Sequence, residues 1–246
     1  MKKSQIVGLS MNGSLKKAGV TFYTKNGQTI MRVAKSQQPK RRTREQFVAR
    51  QHMRHAVALW RPLKWAGEPL FDSEKGAYSR FLSLMRRVPT VFLTEEQHTS
   101  GVTLLLPGMP VSDGVLPVVE QELGEVPQPG EQTGMPALLV DPETLEMKHG
   151  DKLLLYKVKQ TIQIDTPRVE ITRREVSERE LVSVGNQLAL VNADFADDMA
   201  GWALVHVGNG GCSSQSVVTR STFYQQFTTE EALQAAAESY GGLTEI

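Results

Sequence analysis

The feature that most restricts this chain is the punctuation of residues 90–220. Short apolar runs, many of them alternating with a period of two, are separated by turn signals at Pro107-Gly108, Asp113-Gly114, Asp141-Pro142, His149-Gly150 and Asn209-Gly210-Gly211. Runs of this length, bounded by glycine, proline and asparagine, are too short for packed helices and suit strands joined by tight turns. The candidate strands are 91–93, 102–106, 115–119, 137–140, 152–164, 168–176, 181–184, 188–191, 202–207 and 216–220. Many short strands with such turns predict an antiparallel β-sandwich or barrel. The stretch 107–136 holds six of the twelve prolines and no Lys or Arg, which predicts an extended loop or β-excursion outside the core.

Ahead of this region stands a different pattern. Asn26-Gly27 is flanked by two β-prone runs, and this dipeptide tolerates the positive φ angles of a two-residue hairpin turn. The register then pairs Lys25 with Gln28, Tyr23 with Ile30 and Phe22 with Met31. Val20, Phe22, Met31 and Val33 form one face, expected to be buried, while Lys25 and Arg32 lie on the other. Residues 5–9 form a further candidate strand. After a polar linker containing Pro39, Arg41 and Arg42, Thr43 and Gln46 make a capping-box pattern that opens a helix. Ala49, Met53, Ala56, Val57 and Trp60 recur at helical spacing as its apolar face, with Arg50, Arg54 and Arg61 as a neighbouring stripe. Pro62 is expected to end or kink that helix. A second helix is expected over 73–87, with Tyr78, Phe81, Leu82 and Met85 inward, and a last one from Thr228, with Glu231 as capping partner, to Gly241-Gly242. The fold class is therefore α+β: an antiparallel β-sandwich-like body with an N-terminal β-hairpin, two N-terminal helices and a C-terminal helix.

Charge divides the chain more sharply than hydropathy does. Residues 1–66 carry 15 Lys/Arg against the single acid Glu45, whereas residues 67–246 carry 13 basic and 26 acidic groups. No basic residue lies between Arg87 and Lys148, where ten Asp/Glu fall. The domains expected are a basic hairpin and helical region, 1–88, and an acidic β-rich region with the C-terminal helix, 89–246. Such asymmetry points to a basic arm seeking phosphate or an acidic protein surface. One cysteine, Cys212, excludes an intrachain disulfide. With no signal-peptide pattern and no long apolar run, the expectation is a reducing, cytoplasmic compartment or a particle assembled there, and no membrane partner.

No constellation commits the chain to chemistry. His52 and His55 are three apart on the first helix but lack the cysteines or further histidines of a zinc site. Asp194, Asp197 and Asp198 lack the alternating spacing of a calcium loop. Gly208-Asn209-Gly210-Gly211 before Cys212 has no phosphate-loop lysine, and with His206 upstream it reads as a turn between strands rather than a nucleophile site. Glu178 and Glu180 do not by themselves make a carboxylate pair for catalysis. The expected catalytic, cofactor and metal sets are empty, and no small-molecule substrate is evident. Tyr23, Trp60 and Trp65 suit packing better than stacking on bases.

Gly13, Lys17, Gly19, Val20, Tyr23, Asn26, Gly27, Arg32, Arg42, Thr43, Gln46 and Arg50 follow a pattern of glycine/lysine strand, Asn-Gly hairpin ending in arginine, and Arg-Thr-x-x-Gln helix start. In this the chain resembles an uncharacterised bacterial domain-of-unknown-function family, with Pro39 three residues before Arg42 instead of adjacent to it. The resemblance covers about the first quarter of the chain and implies no activity, cofactor or catalytic residue.

Two functions remain in view. One is a structural or interaction subunit that assembles with other copies of itself, through Arg32, Arg41, Arg42, Arg44, Arg50 and Arg54, with Phe22, Met31 and Trp60 supplying apolar contact. The acidic surface met would include Glu120, Glu122 and Glu125. The alternative is sequence-independent nucleic-acid binding through the same arginines. A solvated charged face, or a match within one chain, would account for the charge equally well.

Overall fold

The computed structural model describes residues 13–15, 20–25, 28–33, 43–72, 76–128, 133–145, 147–161, 166–211, 213–214, 216–219 and 225–243. They fall into two compact units, 1–42 and 43–246. In the first, β1 (Gly13–Leu15), β2 (Val20–Lys25) and β3 (Gln28–Val33) form an antiparallel sheet in that order. Lys25 pairs with Gln28 and Phe22 with Met31, the register a two-residue loop demands. The expected burial does not follow: Phe22 is half-buried and Met31 is 62% exposed. A single three-stranded sheet has no second layer of its own to cover a face. Residues 5–9 and the turn residues Asn26 and Gly27 lie outside the described residues.

The second unit is α+β and layered. Its central sheet, β12-β8-β9, combines Ala200–Val207, Lys152–Thr161 and Arg168–Val176, all antiparallel. Side chains of a strand alternate between faces, and this sheet is buried on both. Tyr156, Val158, Ala203 and Val205 join α1 (Arg44–Trp65) and α2 (Ala77–Met85) in one core, through Ala56, Leu59, Leu63, Phe81 and Met85. Leu153, Leu155, Trp202 and Leu204 join a second core against the sheet β10-β11-β7-β6, made of Leu181–Val184, Gln187–Val191, Met135–Val140 and Gln121–Val126. The order outward from the centre is thus helices on one side and a second sheet on the other. A smaller sheet, β13-β5-β4 (Ser216–Val217, Pro110–Asp113, Leu70–Phe71), contains one parallel pair, β4 with β5. Short α3 (Glu95–Thr99) and C-terminal α4 (Glu230–Ser239) complete the unit. No described helix is long and apolar enough to cross a membrane.

Several expectations need correction. The division falls after residue 42 rather than 88, because α1 and α2 bury their apolar side chains in the same core as the central sheet. Pro62 does not end α1, which runs on to Trp65; the Pro62 carbonyl accepts the Ala66 amide at 3.1 Å. The 107–136 stretch is not all excursion: Met109, Val111 and Ser112 are fully enclosed, and β6 lies within it. Runs 91–93, 102–106 and 115–119 belong to no strand; within them Leu116 makes only an isolated bridge to Ser214. The cap of α4 is Thr229, whose hydroxyl accepts the Ala232 amide at 3.2 Å, rather than Thr228.

Candidate functional site

On α1 the inward face is set by two polar side chains. Phe47, Gln51, His55, Ala56, Leu59 and Leu63 are buried, while Ala49, Met53 and Val57 are exposed and Trp60 is half-buried between Phe71, Tyr78 and Phe81. The helix is rotated from the expected apolar face because the irregular buried chain beside it needs hydrogen bonds. Gln51 donates to the Leu93 carbonyl at 3.0 Å and accepts the Leu93 amide at 3.4 Å. His55 Nε2 accepts the Leu104 amide at 3.0 Å. From the central sheet, Gln160 accepts the Leu105 amide at 2.7 Å and donates to the Thr103 carbonyl at 3.1 Å, and Thr103 Oγ1 accepts the Val169 amide at 2.8 Å. A buried amide left without a partner is costly, so these side chains do what a strand neighbour would otherwise do. Burial pushes the His55 imidazole down to about 3, so it stands neutral and able to accept.

The arginines named from the sequence separate. Arg41 and Arg42 lie outside the described residues, and Arg32 pairs with Thr21 on β3. Arg44 makes a fork with Glu230, two bonds of 2.6 Å. Arg54 lies over the Tyr240 ring, 4.5 Å from its centroid, and so turns toward α4 instead of continuing an open stripe. Arg50 is half-exposed, and Arg61 and Lys64 are exposed on the outward side of α1. Between α1 and the α2 region runs a mostly apolar groove of about 560 Å³. Val48, Ala49, Met53, Ala56 and Leu82 line it, with Arg86 among its polar members. His52 sits there with Nδ1 3.1 Å from Thr90 Oγ1; burial, then the charge of Arg86, lowers its pKa.

The glutamates also divide. Leu123, Leu138, Leu190 and Leu181 are cross-strand neighbours that face the core. The adjacent row, Glu122, Leu139, Ala189 and Val182, therefore lies on the outer face of the sheet. Glu125 has the parity of Leu123 and is not on that outer face. Glu120 and Glu122 share a groove of about 550 Å³ with Asp141, Glu143, Leu139 and Gln187, and no Lys or Arg lines it among the described residues.

The most chemistry-like cluster lies at the other end of β12. His206 Nε2 is 2.8 Å from Asp151 Oδ2, and both side chains are nearly enclosed. Asp151 also accepts the Lys148 amide at 2.9 Å and the Asn209 amide at 2.9 Å. The Lys148 amide, His206 and the Asn209 amide together hold its carboxyl down to about 2. Serines crowd the same place, but Ser214 Oγ accepts the His206 amide at 3.0 Å, Ser112 Oγ donates to the Ser214 carbonyl at 2.8 Å, and Ser213 Oγ donates to the Leu70 carbonyl at 3.3 Å. Among these three, none bonds to the imidazole. The arrangement ties the start of β8 to the end of β12, as a turn clamp does, and Cys212 lies outside the described residues. Asp194 and Asp197 are paired with Lys157 and Lys159 at 2.7 and 3.3 Å, and Glu180 with Arg174 at 2.7 Å. Among the described residues no group of three His, Cys, Asp or Glu is placed to hold a metal.

Compared with protein-family models, curated proteins and solved structures, the chain matches none.

Proposed function

We propose that this protein is a structural or interaction subunit that assembles with further copies of itself through its basic N-terminal region and its acidic body. One observation carries the reading: residues 1–42 form a compact unit with ten Lys/Arg and no acid, while residues 43–246 carry 18 Lys/Arg against 27 Asp/Glu. The exposure of Met31 on the small sheet supports it, since a sheet of this size gains stability by laying its face on another surface. Charge guides encounter and register, and apolar residues such as Met31 supply affinity. Assembly in the cytoplasm fits a chain whose only cysteine is Cys212.

Sedimentation velocity of the full-length protein tests this, at low and at physiological salt. Assembly that weakens as salt rises is expected. A monomer at high concentration and low salt overturns the reading. The second reading, nucleic-acid binding without sequence preference, draws on the same ten cations in 1–42. Arg44 and Arg54 weigh against the helix as its main contact, because Glu230 and the Tyr240 ring already engage them. Adding duplex DNA to the same sedimentation experiment separates the two.

A further inference from the structure

Two faces of the 43–246 unit are unlike in charge, alike in carrying apolar side chains, and point away from each other. On the helical side, α1 presents Met53 and Val57, 41% and 44% exposed, next to the apolar groove. Arg50, Arg61 and Lys64 surround them, and Arg86 lies across the groove. The ridge from Arg50 to Lys64 takes up about 21 Å of the 22-residue helix α1. On the far side, the outer face of the β10-β11-β7-β6 sheet presents Val182, 51% exposed, half-buried Leu139 and exposed Glu122 in one cross-strand row, with Ala189 buried among them. Glu120, Asp141 and Glu143 edge that row. The central sheet lies between, since its two faces feed the two separate cores.

Resting on the assembly reading above, we infer that the basic, apolar outer face of α1 in one copy docks on the acidic, apolar outer face of the β10-β11-β7-β6 sheet in the next. Exposed Met and Val ringed by cations on one side, and Val and Leu edged by carboxylates on the other, are complementary to each other and not to themselves. Two α1 faces brought together would oppose cation to cation, and two sheet faces carboxylate to carboxylate, which disfavours a two-fold dimer. A contact between different patches is heterologous, so each copy keeps one face free and assembly continues into a ring or a filament.

Two full-length variants test it: Met53→Glu/Val57→Glu on the helix and Val182→Lys/Glu122→Lys on the sheet. All four side chains are at least partly exposed, and melting curves matching wild type verify the fold. Each variant alone should lose at least 100-fold in self-association. Their equimolar mixture should regain association that neither variant shows alone, because one intact helix face meets one intact sheet face. A milder variant, Glu122→Gln, should weaken wild-type assembly several-fold without bearing on folding. If wild type assembles and either double variant assembles equally well, this pairing is wrong while assembly through residues 1–42 stands. A mixture that stays monomeric also overturns it. If wild type itself is monomeric, both readings fall together.

Discussion

Replacing His55 probes the join between α1 and the irregular buried chain. Its ring is 3% exposed and its Nε2 is the acceptor for the Leu104 amide. His55→Ala leaves that amide buried and unpaired, at about 1–3 kcal/mol, and opens a cavity at about 2 kcal/mol, for a loss of about 3–5 kcal/mol in all. His55→Gln keeps an acceptor and removes the titration, and so isolates the pH effect. Burial holds His55 at about 3 when folded, against 6.5 for the free side chain. Between those values the unfolded chain binds the extra proton, so the contribution is complete above pH 6.5 and is lost as pH falls toward 3. At about 1.4 kcal/mol per pH unit, wild type should lose roughly 2 kcal/mol more than His55→Gln between pH 7.5 and pH 5. Urea unfolding at several pH values measures the difference, with His52 and His98 common to both proteins. Parallel pH curves would refute the argument, because they would mean that His55 protonates freely in the folded protein.

Asp151→Asn should lower the melting temperature and flatten the acid limb. The depressed carboxyl contributes stability above its ordinary value of 3.8 that is lost as pH falls through about 2, so acid-unfolding curves check both parts. Gly67 has φ +146°, and a Cβ there would stand 2.1 Å from Arg173 Nη2, which packs against it while Arg173 Nη1 bonds the Glu68 carbonyl at 3.2 Å. Gly67→Ala should cost about 1–3 kcal/mol by thermal melting. Glu230→Ala removes the fork to Arg44, whose partners are both more than half exposed, and should leave the urea midpoint unchanged within error.

Where the chain is locally self-sufficient, its sequence reads well. The β2–β3 register follows from Asn26-Gly27 alone, and β9 (Arg168–Val176) and β10 (Leu181–Val184) coincide with their alternating runs. Where neighbours decide, it reads poorly. Residues 102–106 look like a strand because they are largely apolar and β-branched in part, yet the amides of Val102, Thr103, Leu104 and Leu105 go to Gln97, Pro167, His55 and Gln160. Nothing within the run discloses those partners. β6 was hidden by its two glutamates and its glycine, a composition poor in β-formers, and is recruited by pairing with β7. Leu139 packs close over Gly124, where a Cβ would stand 2.7 Å from its Cδ1 and push the leucine aside.

The candidate site was misread for one reason that also gives it content. Apolar spacing chose Ala49, Met53, Ala56, Val57 and Trp60 as the inward face of α1, since hydrophobic residues are ordinarily the buried ones, and of these only Ala56 is fully buried. The core instead takes Gln51 and His55, whose hydrogen bonds to Leu93 and Leu104 outweigh the burial of two more aliphatic side chains. A buried polar pair of this kind fixes rotation, because turning the helix to bury Met53 and Val57 would strand two backbone amides in the interior. The apolar stripe left outside is then a consequence of the fold's own hydrogen bonding. It stands exposed among Arg50, Arg61 and Lys64. Reversing the preference should therefore be informative: Gln51→Leu/His55→Leu removes the polar tie and strands the Leu93 and Leu104 amides, so stability measured by urea unfolding should fall despite the two added aliphatic side chains. If the double variant instead matched or exceeded wild type in stability, the hydrogen bonds would not outweigh aliphatic burial, and the hydrogen-bond account of the exposed stripe would fail.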